Sequence, residues 1–547
     1  MFKRLTLVAT TTGLIVFGLI AGSTRSATPT QPKLLLVLSI DQMRFDYLTR
    51  FASLYKGGLR QLLQRGAVFS NAKYRHANTE TGPGHSVMLS GRHASSSGIV
   101  ANTWYDPLLK KSINVVDDPV QLPIGGKGRA ASPANFIGFT VGDILKRDSP
   151  QSEVVGISMK DRSAILMGGR RADAAYWFEN EGGNFITSTY YMAVTPEWLK
   201  RWNARKFADQ YSGTLWHRLL PDAKVYERFA GKDAIEGEWD RKDTVFPHRI
   251  REAPPLSGYY EDFRRTPFAD EMVLQAALEA MRAHALGEDA VTDILAIGFS
   301  ATDVIGHTYG ADSHETMDQL LRLDQTLRHL FEEIGRRVGM QQTWVVLTAD
   351  HGSMPLVEVA QKAGLPAKRF RADAVESAVK QALQKSFPRS SGLIAAYDVP
   401  NFYLSETAMA AAGLKQRAVE AVVVKALQQT GLFESVYTHA DILDPDKQDD
   451  PHLPLIRNSF FAPRSPDIIA TPKSYIYISD NVGGTGHGTP HDYDRHVPIV
   501  FLGAPVKPGS YPANCGPEDI APTLAKMLGL KGLEKEADAR ILQEMLR

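Results

Sequence analysis

The sequence predicts an α/β protein built on a doubly wound, mostly parallel central sheet flanked by helices. Two observations carry that expectation. Short apolar runs recur at Lys33–Ile40, Glu153–Ser158, Asp293–Phe299, Trp344–Thr348 and Val497–Leu502, as buried parallel strands do. Between them the apolar spacing turns helical, as in Asp270–His284 and Thr316–Gly335, and strands alternating with helices define the class.

Composition agrees. The chain has 547 residues, 43% hydrophobic and 22% charged, which excludes a disordered, collagen-like or coiled-coil protein and allows a large core. The 62 basic and 61 acidic residues nearly cancel, and no basic block is interleaved with aromatics. Nucleic-acid binding therefore has no footprint here. The single cysteine, Cys515, excludes an intrachain disulfide and a cysteine-based metal cluster.

The N-terminus reads as a secretory signal over residues 1–27. Lys3-Arg4 precede an apolar stretch, Leu5–Ala21, and small residues follow at Ala21-Gly22-Ser23 and Ser26-Ala27. Thr10–Thr12 leave a strongly apolar core of only Leu14–Ala21, too short to span a bilayer comfortably. The expected mature chain, 28–547, is a periplasmic or secreted monomer without a stable membrane anchor.

Two regions read as insertions into this catalytic unit, about 170–267 and about 365–466. The first, Arg170–Pro267, holds five of the seven tryptophans and shows no strand–helix rhythm. The second contains its own small pattern: helix-like Ala372–Lys385 and Leu414–Thr430, strand-like Gly392–Leu404 and Ser435–His439. A Pro- and Asp-rich passage, Asp444–Pro466, leads back to the main sheet.

The chemistry lies at the carboxyl ends of the apolar runs, where ligands of open α/β sheets bind. LLLVLSI is followed by Asp41; ILAIGFSAT by Asp303, with His307 four residues on; WVVLTA by Asp350-His351. Each alone is an ordinary turn residue or helix cap. Three strands delivering Asp and His to one edge point to borderline divalent metals, which accept mixed nitrogen and oxygen ligands. Thr79-Glu80-Thr81-Gly82-Pro83-Gly84-His85 reads as a tight turn before a helix, able to present a hydroxyl and N–H groups to an anion. Gly484-Thr485-Gly486-His487-Gly488 presents one histidine on a glycine-rich loop.

In order, IDQMRFDYL, TETGPGHSVMLSG, GIVANTWYD, ISMKDRSAIL, ATDVIGHTYG, LTADHG and GTGHGTPHDYDRHVPI resemble the motifs of the alkaline phosphatase superfamily. The nearest likeness is to its bacterial phosphate-irrepressible enzymes with a threonine nucleophile. Type I phosphodiesterases and nucleotide pyrophosphatases share part of the pattern. The resemblance implies two zinc sites, with other divalent metals as substitutes. One would use Asp303, His307 and His487; the other Asp41, Asp350, His351 and the Thr81 oxygen.

The family spacing places the nucleophile four residues before His85, at Thr81 rather than Thr79. Asn102 matches the phosphate-binding asparagine, and Lys160 and Arg162 match the K-x-R pair of the monoesterases. The implied activity is hydrolysis of small phosphate monoesters through a phosphothreonine; the alternative is a phosphodiesterase on the same scaffold. A sulfatase lacks its C/S-x-P-x-R motif here. His85 is expected to pack behind the nucleophile loop. His491 and His496 are expected as second partners of the metal loop, Asp46 and Asp492 as caps or ion pairs.

Overall fold

The computed structural model describes Met1 and residues 31–547, except 240–241, 253–257, 449 and 534–536. Apart from Met1, the expected signal segment lies outside the described residues. Ten strands form the main sheet: β1 (Leu34–Ile40), β2 (Ala67–Phe69), β3 (Pro123–Ile124), β4 (Val154–Ser158), β5 (Ala174–Glu179), β6 (Asn184–Ser188), β7 (Asp293–Phe299), β8 (Thr343–Thr348), β9 (Ile499–Leu502) and β10 (Gly509–Tyr511). Their spatial order is β10-β2-β9-β8-β1-β7-β4-β5-β6-β3. The five middle strands, β8-β1-β7-β4-β5, run parallel.

Every residue of β1 is buried because helices cover both faces of the sheet, so its sequence shows no polar alternation. Its leucines fall into two cores. Leu34, Leu36 and Leu38 pack on one face, Leu35 and Val37 on the other. Truncating one such leucine to alanine costs ~2–5 kcal/mol.

Five helices position the site: α1 (Thr81–Ser90), α2 (Asp161–Gly168), α3 (Phe268–Ala283), α4 (Ala301–Tyr309) and α5 (His314–Arg337). α3 and α5 lie where the periodicity puts them. α5 starts where Ser313 Oγ accepts the Thr316 N–H at 3.1 Å, satisfying one of the free donors of its first turn.

The sheet departs from expectation in two places. The strand read at Val497–Leu502 is β9, and it runs antiparallel to both β8 and β2. It starts at the end of the sheet where β8 finishes and so runs back against both neighbours. The start of the tryptophan-rich region is also part of the sheet. β5 pairs in parallel with β4, and β6 returns antiparallel beside it. The run AAYWFE is buried throughout, so its aromatics fill a core. Trp177, Trp198, Trp202 and Trp216 are buried likewise, while Trp239 is 41% exposed.

A second, four-stranded antiparallel sheet is ordered Ile394–Asp398, Asn401–Leu404, Ile468–Pro472, Phe433–Thr438. Ala372–Ser386 and Gln416–Thr430 are its helices, and the unit has its own apolar core. The single strand expected at Gly392–Leu404 is a hairpin that reverses at Val399-Pro400, where proline supplies no ladder donor. Its strand Ile468–Pro472 comes from beyond the Pro- and Asp-rich passage. Residues 31–547 form one compact unit, and no helix among the described residues is long and apolar enough to cross a membrane.

Candidate active site

Parallel register brings three chain turns to one level. Ile40 lies beside Phe299 and Ser39 beside Thr348, and the ladder continues one residue further as the Asp41 N–H donates to Phe299 O at 2.9 Å. Asp41 follows β1, Asp303 sits in the first turn of α4 after β7, and Asp350-His351 follow β8. His307 lies one turn along α4 on the same face.

Two groups of side-chain donor atoms meet here, and the sets whose atoms all lie within 4.8 Å of one another are Asp303, His351 and His487, and Asp41, His85 and Asp350. In the first, Asp303 Oδ1 is 3.2 Å from His307 Nε2 and 3.7 Å from His487 Nε2, and those two nitrogens are 3.2 Å apart. Each ring donates its Nδ1–H to a carbonyl, His307 to Thr485 O at 2.7 Å and His487 to Thr79 O at 2.8 Å. With Nδ1 so engaged, both rings turn Nε2 toward each other and toward a carboxylate, an arrangement that a shared cation satisfies. The His351 ring stacks on His487 at 3.5 Å and joins the two groups.

Asp41 and Asp350 of the second group, and His351 beside them, are completely buried. His351 donates Nδ1–H to Gly352 O at 2.9 Å and turns Nε2 to Asp350 Oδ2 at 3.2 Å. His351 Nε2, Asp350 Oδ2 and Asp41 Oδ1 form no well-aligned hydrogen bond and meet only other titratable groups of the site. Buried groups of this kind are normally paired, so the donor set fits a divalent cation here as well. Burial opposes a charged His351, but the Asp350 carboxylate outweighs burial and pushes the imidazole up to about 9. Burial and the neighbouring His351 and His307 hold His487 well below its ordinary value.

Thr81 opens α1, so the tight turn expected before the helix is itself helical: Gly82-Pro83-Gly84 form the first turn of α1. Proline is tolerated there because first-turn N–H groups have no helical acceptor. Glycine at 84 has a steric reason. A Cβ there would stand 2.3 Å from Asp350 O, so α1 rests directly on the β8 turn. Asn102 accepts the Gly82 N–H at 2.7 Å, and Glu80 accepts the Asn102 N–H at 2.6 Å.

Lys160 and Arg162 flank the start of α2. The Lys160 ammonium is 2.6 Å from Asp303 Oδ2, 3.0 Å from Asp41 Oδ2 and 3.5 Å from Thr81 Oγ1. Arg162 Nη2 is 3.4 Å from Thr81 Oγ1. A surface K-D-R turn is thereby ruled out for Lys160, which is 5% exposed. Burial opposes its charge, but Asp303 and Asp41 raise its pKa; reciprocally, against the burial that favours their neutral forms, it holds both carboxyls low. The positive ends of α1 and α2 therefore meet two side-chain cations around one hydroxyl, an anion site by construction. Lys160, Arg162, Asp303 and His307 line a cavity of ≈320 Å³ with Trp239, Arg264, Arg265 and Tyr477.

All ten sequence-predicted residues (Asp41, Thr81, Asn102, Lys160, Arg162, Asp303, His307, Asp350, His351 and His487) stand around this site. Thr79 does not compete with Thr81: its Oγ1 donates to Thr489 O and accepts the Gly488 N–H, anchoring the loop that carries His487. His85 does more than pack. It lies 3.2 Å from Asp41 Oδ1 and 3.6 Å from Asp350 Oδ2, with Nδ1 on Thr81 O at 2.9 Å.

The expectation for His491 and His496 fails. His491 binds Pro472 O, and His496 binds Ser70 O and stacks on Phe45. The loop bends at Gly484 (φ 79°) and Gly488 (φ 107°), and Asp494 clamps Thr489, so only His487 points inward. Asp46 pairs with Arg44 and Asp492 with Lys73.

Sequence reasoning passed over Gln42. Its Nε2 donates to Asp303 Oδ1 at 2.9 Å and its backbone N–H to Asp350 Oδ1 at 3.0 Å, so one residue orients a carboxylate of each group. A left-handed φ of 62° places it there, and a Cβ at Gly306 would collide with its amide. Ser300, donating to Asp41 Oδ2 at 2.8 Å, was missed for the same reason: both act by holding a carboxylate of the site.

The fold and the site define a class. Residues 35–494 match the family model described as type I phosphodiesterase / nucleotide pyrophosphatase, and the chain belongs to that family. Within it the chain is similar to alkaline phosphatase PafA of Elizabethkingia meningoseptica, 31% identical over 95% of each chain. It is also 31% identical to alkaline phosphatase PhoV of Synechococcus elongatus, over 92% of this chain and 91% of that one. A crystal structure of PafA, 30% identical, superposes with a TM-score of 0.86 across 94% of this chain and 99% of that chain.

Proposed function

We propose that this phosphoric monoester hydrolase moves the phosphoryl group of a small phosphate monoester first to Thr81 Oγ1 and then to water. Kinship to alkaline phosphatases supports the class. The observation that carries the mechanism is the approach of both Lys160 and Arg162 to the Thr81 hydroxyl, at 3.5 and 3.4 Å.

Two zinc ions, one held by Asp41, Asp350, His351 and the Thr81 oxygen and one by Asp303, His307 and His487, would supply the Lewis acidity that eases both oxygen nucleophile and oxygen leaving group. Other divalent metals suit the same ligands. Thr81 Oγ1 attacks phosphorus and the ester P–O bond breaks, releasing the alcohol. Water then attacks the phosphothreonine, the Oγ1–P bond breaks, and threonine is restored. Lys160, Arg162 and the Asn102 amide donate to the non-bridging oxygens through both steps. Their placement is fixed beforehand by α1 and α2, and little reorganisation is needed when charge develops.

A monoester carries one more anionic oxygen than a diester, and the two cations answer it, arginine as a planar fork and lysine as a point charge. Steady-state kinetics on matched monoester, diester and sulfate ester substrates test the reading. Lys160→Ala/Arg162→Ala is expected to lower monoester kcat/KM by orders of magnitude and diester kcat/KM far less. Equal losses on both would transfer the assignment to a phosphodiesterase. The reading includes export to the periplasm or medium, supported by Lys3-Arg4 and the apolar stretch after them, and a monomer acting on free small molecules.

A further inference from the structure

Away from the active site, Glu434, His452 and His491 bring three donor atoms within 4.8 Å of one another. We propose that they form a separate zinc-type cation site at the seam between the small sheet and the segment that follows the active-site loop. The three come from different parts of the chain. Glu434 is on the strand Phe433–Thr438, His452 lies within the Pro- and Asp-rich passage, and His491 stands four residues beyond His487.

Hydrogen bonding sets the lone pairs. His491 Nε2–H donates to Pro472 O at 2.9 Å, which leaves Nδ1 as the unprotonated nitrogen of the neutral ring. Burial, with the neighbouring His452, keeps that ring below its ordinary pKa and so neutral. His452 Nδ1 faces Glu434 Oε2 at 3.9 Å and is a buried atom without a hydrogen-bond partner. Two imidazole nitrogens and one carboxylate are a ligand set suited to zinc, with water completing the shell.

The frame is built rather than accidental. Asp450 accepts Ser435 Oγ–H at 3.0 Å and Tyr437 O–H at 2.6 Å through one oxygen, and the His452 N–H at 2.9 Å through the other. This fixes the backbone of His452 to the strand that carries Glu434. Pro472, which orients His491, is the register partner of Phe433, the residue before Glu434. Outer hydrogen bonds of this kind orient metal ligands.

Zinc counting decides the matter. The full chain is stripped with chelator, dialysed against Zn²⁺, and its zinc measured by elemental analysis. His452→Ala and His491→Gln are each expected to hold one ion fewer per chain than the parent, on both the native background and an Asp303→Asn/His307→Ala background. Glu434→Gln, at an exposed position where the fold is safe, is expected to weaken Zn²⁺ binding about tenfold. Equal zinc content and affinity in parent and all three variants would overturn the site, as would a loss confined to His452→Ala. Because the difference is read on the active-site variant too, failure of the proposed catalytic metals leaves this result readable.

Discussion

Asp41, Asp350 and His351 are sealed from water, whereas His307, in the other group of the same site, exposes 39% of its side chain. The buried group lies where β1 and β8 end and α1 lands on Asp350. The open group borders the cavity and depends on a loop that arrives from far along the sequence. One group is part of the core and the other part of the entrance. Structural damage should follow the first, and access and exchange the second.

Several substitutions sharpen that contrast, beginning with the hydroxyl beside the buried group. Thr81→Ala should lower kcat by about 10⁴-fold or more while zinc content stays near that of the parent. Acid quench with labelled substrate should trap phosphothreonine in the parent alone. Full activity in Thr81→Ala together with inactivity in Thr79→Ala would reverse the register.

Chelation should abolish activity and zinc should restore it best. The two groups are then separable by His351→Ala and His307→Ala. Loss of His351 leaves buried Asp350 Oδ2 without a counterpart, at ~1–3 kcal/mol, so thermal unfolding should shift down measurably. Loss of His307 should cost an ion but little stability. Equal shifts in melting temperature would erase the distinction drawn here. Gln42→Ala touches both groups and should weaken zinc affinity by ~10–100-fold, read by competition with a chromogenic chelator. His496→Ala, turned toward Ser70 and Phe45, should leave kcat/KM within about twofold, as surface-side changes away from a site do.

Much of this was legible in the sequence because the middle strands are buried on both faces and end in chemistry. A continuous apolar run followed by Asp marks both strand and site, which is why Asp41, Asp303 and Asp350 were readable. What escaped depends on tertiary geometry. The direction of β9 is decided by where the chain re-enters the sheet, and an apolar run such as IVFL suits either direction. β5 and β6 were hidden because tryptophan and charge around them mimic an irregular insert. Gln42 and Ser300 act at second hand, through carboxylates, and no spacing rule reports a left-handed glutamine. His491 and His496 misled because proximity in sequence to His487 says nothing about which side of a glycine-hinged loop faces in.

The late antiparallel strand has a consequence for the birth of the protein on the ribosome. Chains emerge N-terminus first, so β1, Thr81, Asn102, Lys160 and Arg162 leave the tunnel long before His487. β9 fits between β2 and β8, two strands made much earlier. Until it arrives, both neighbours present open edges, the kind of surface on which unfinished chains stick together. The ligand set stays incomplete for the same interval. The loop that carries His487 and the strand that fills the gap between β2 and β8 are therefore made together, late in synthesis.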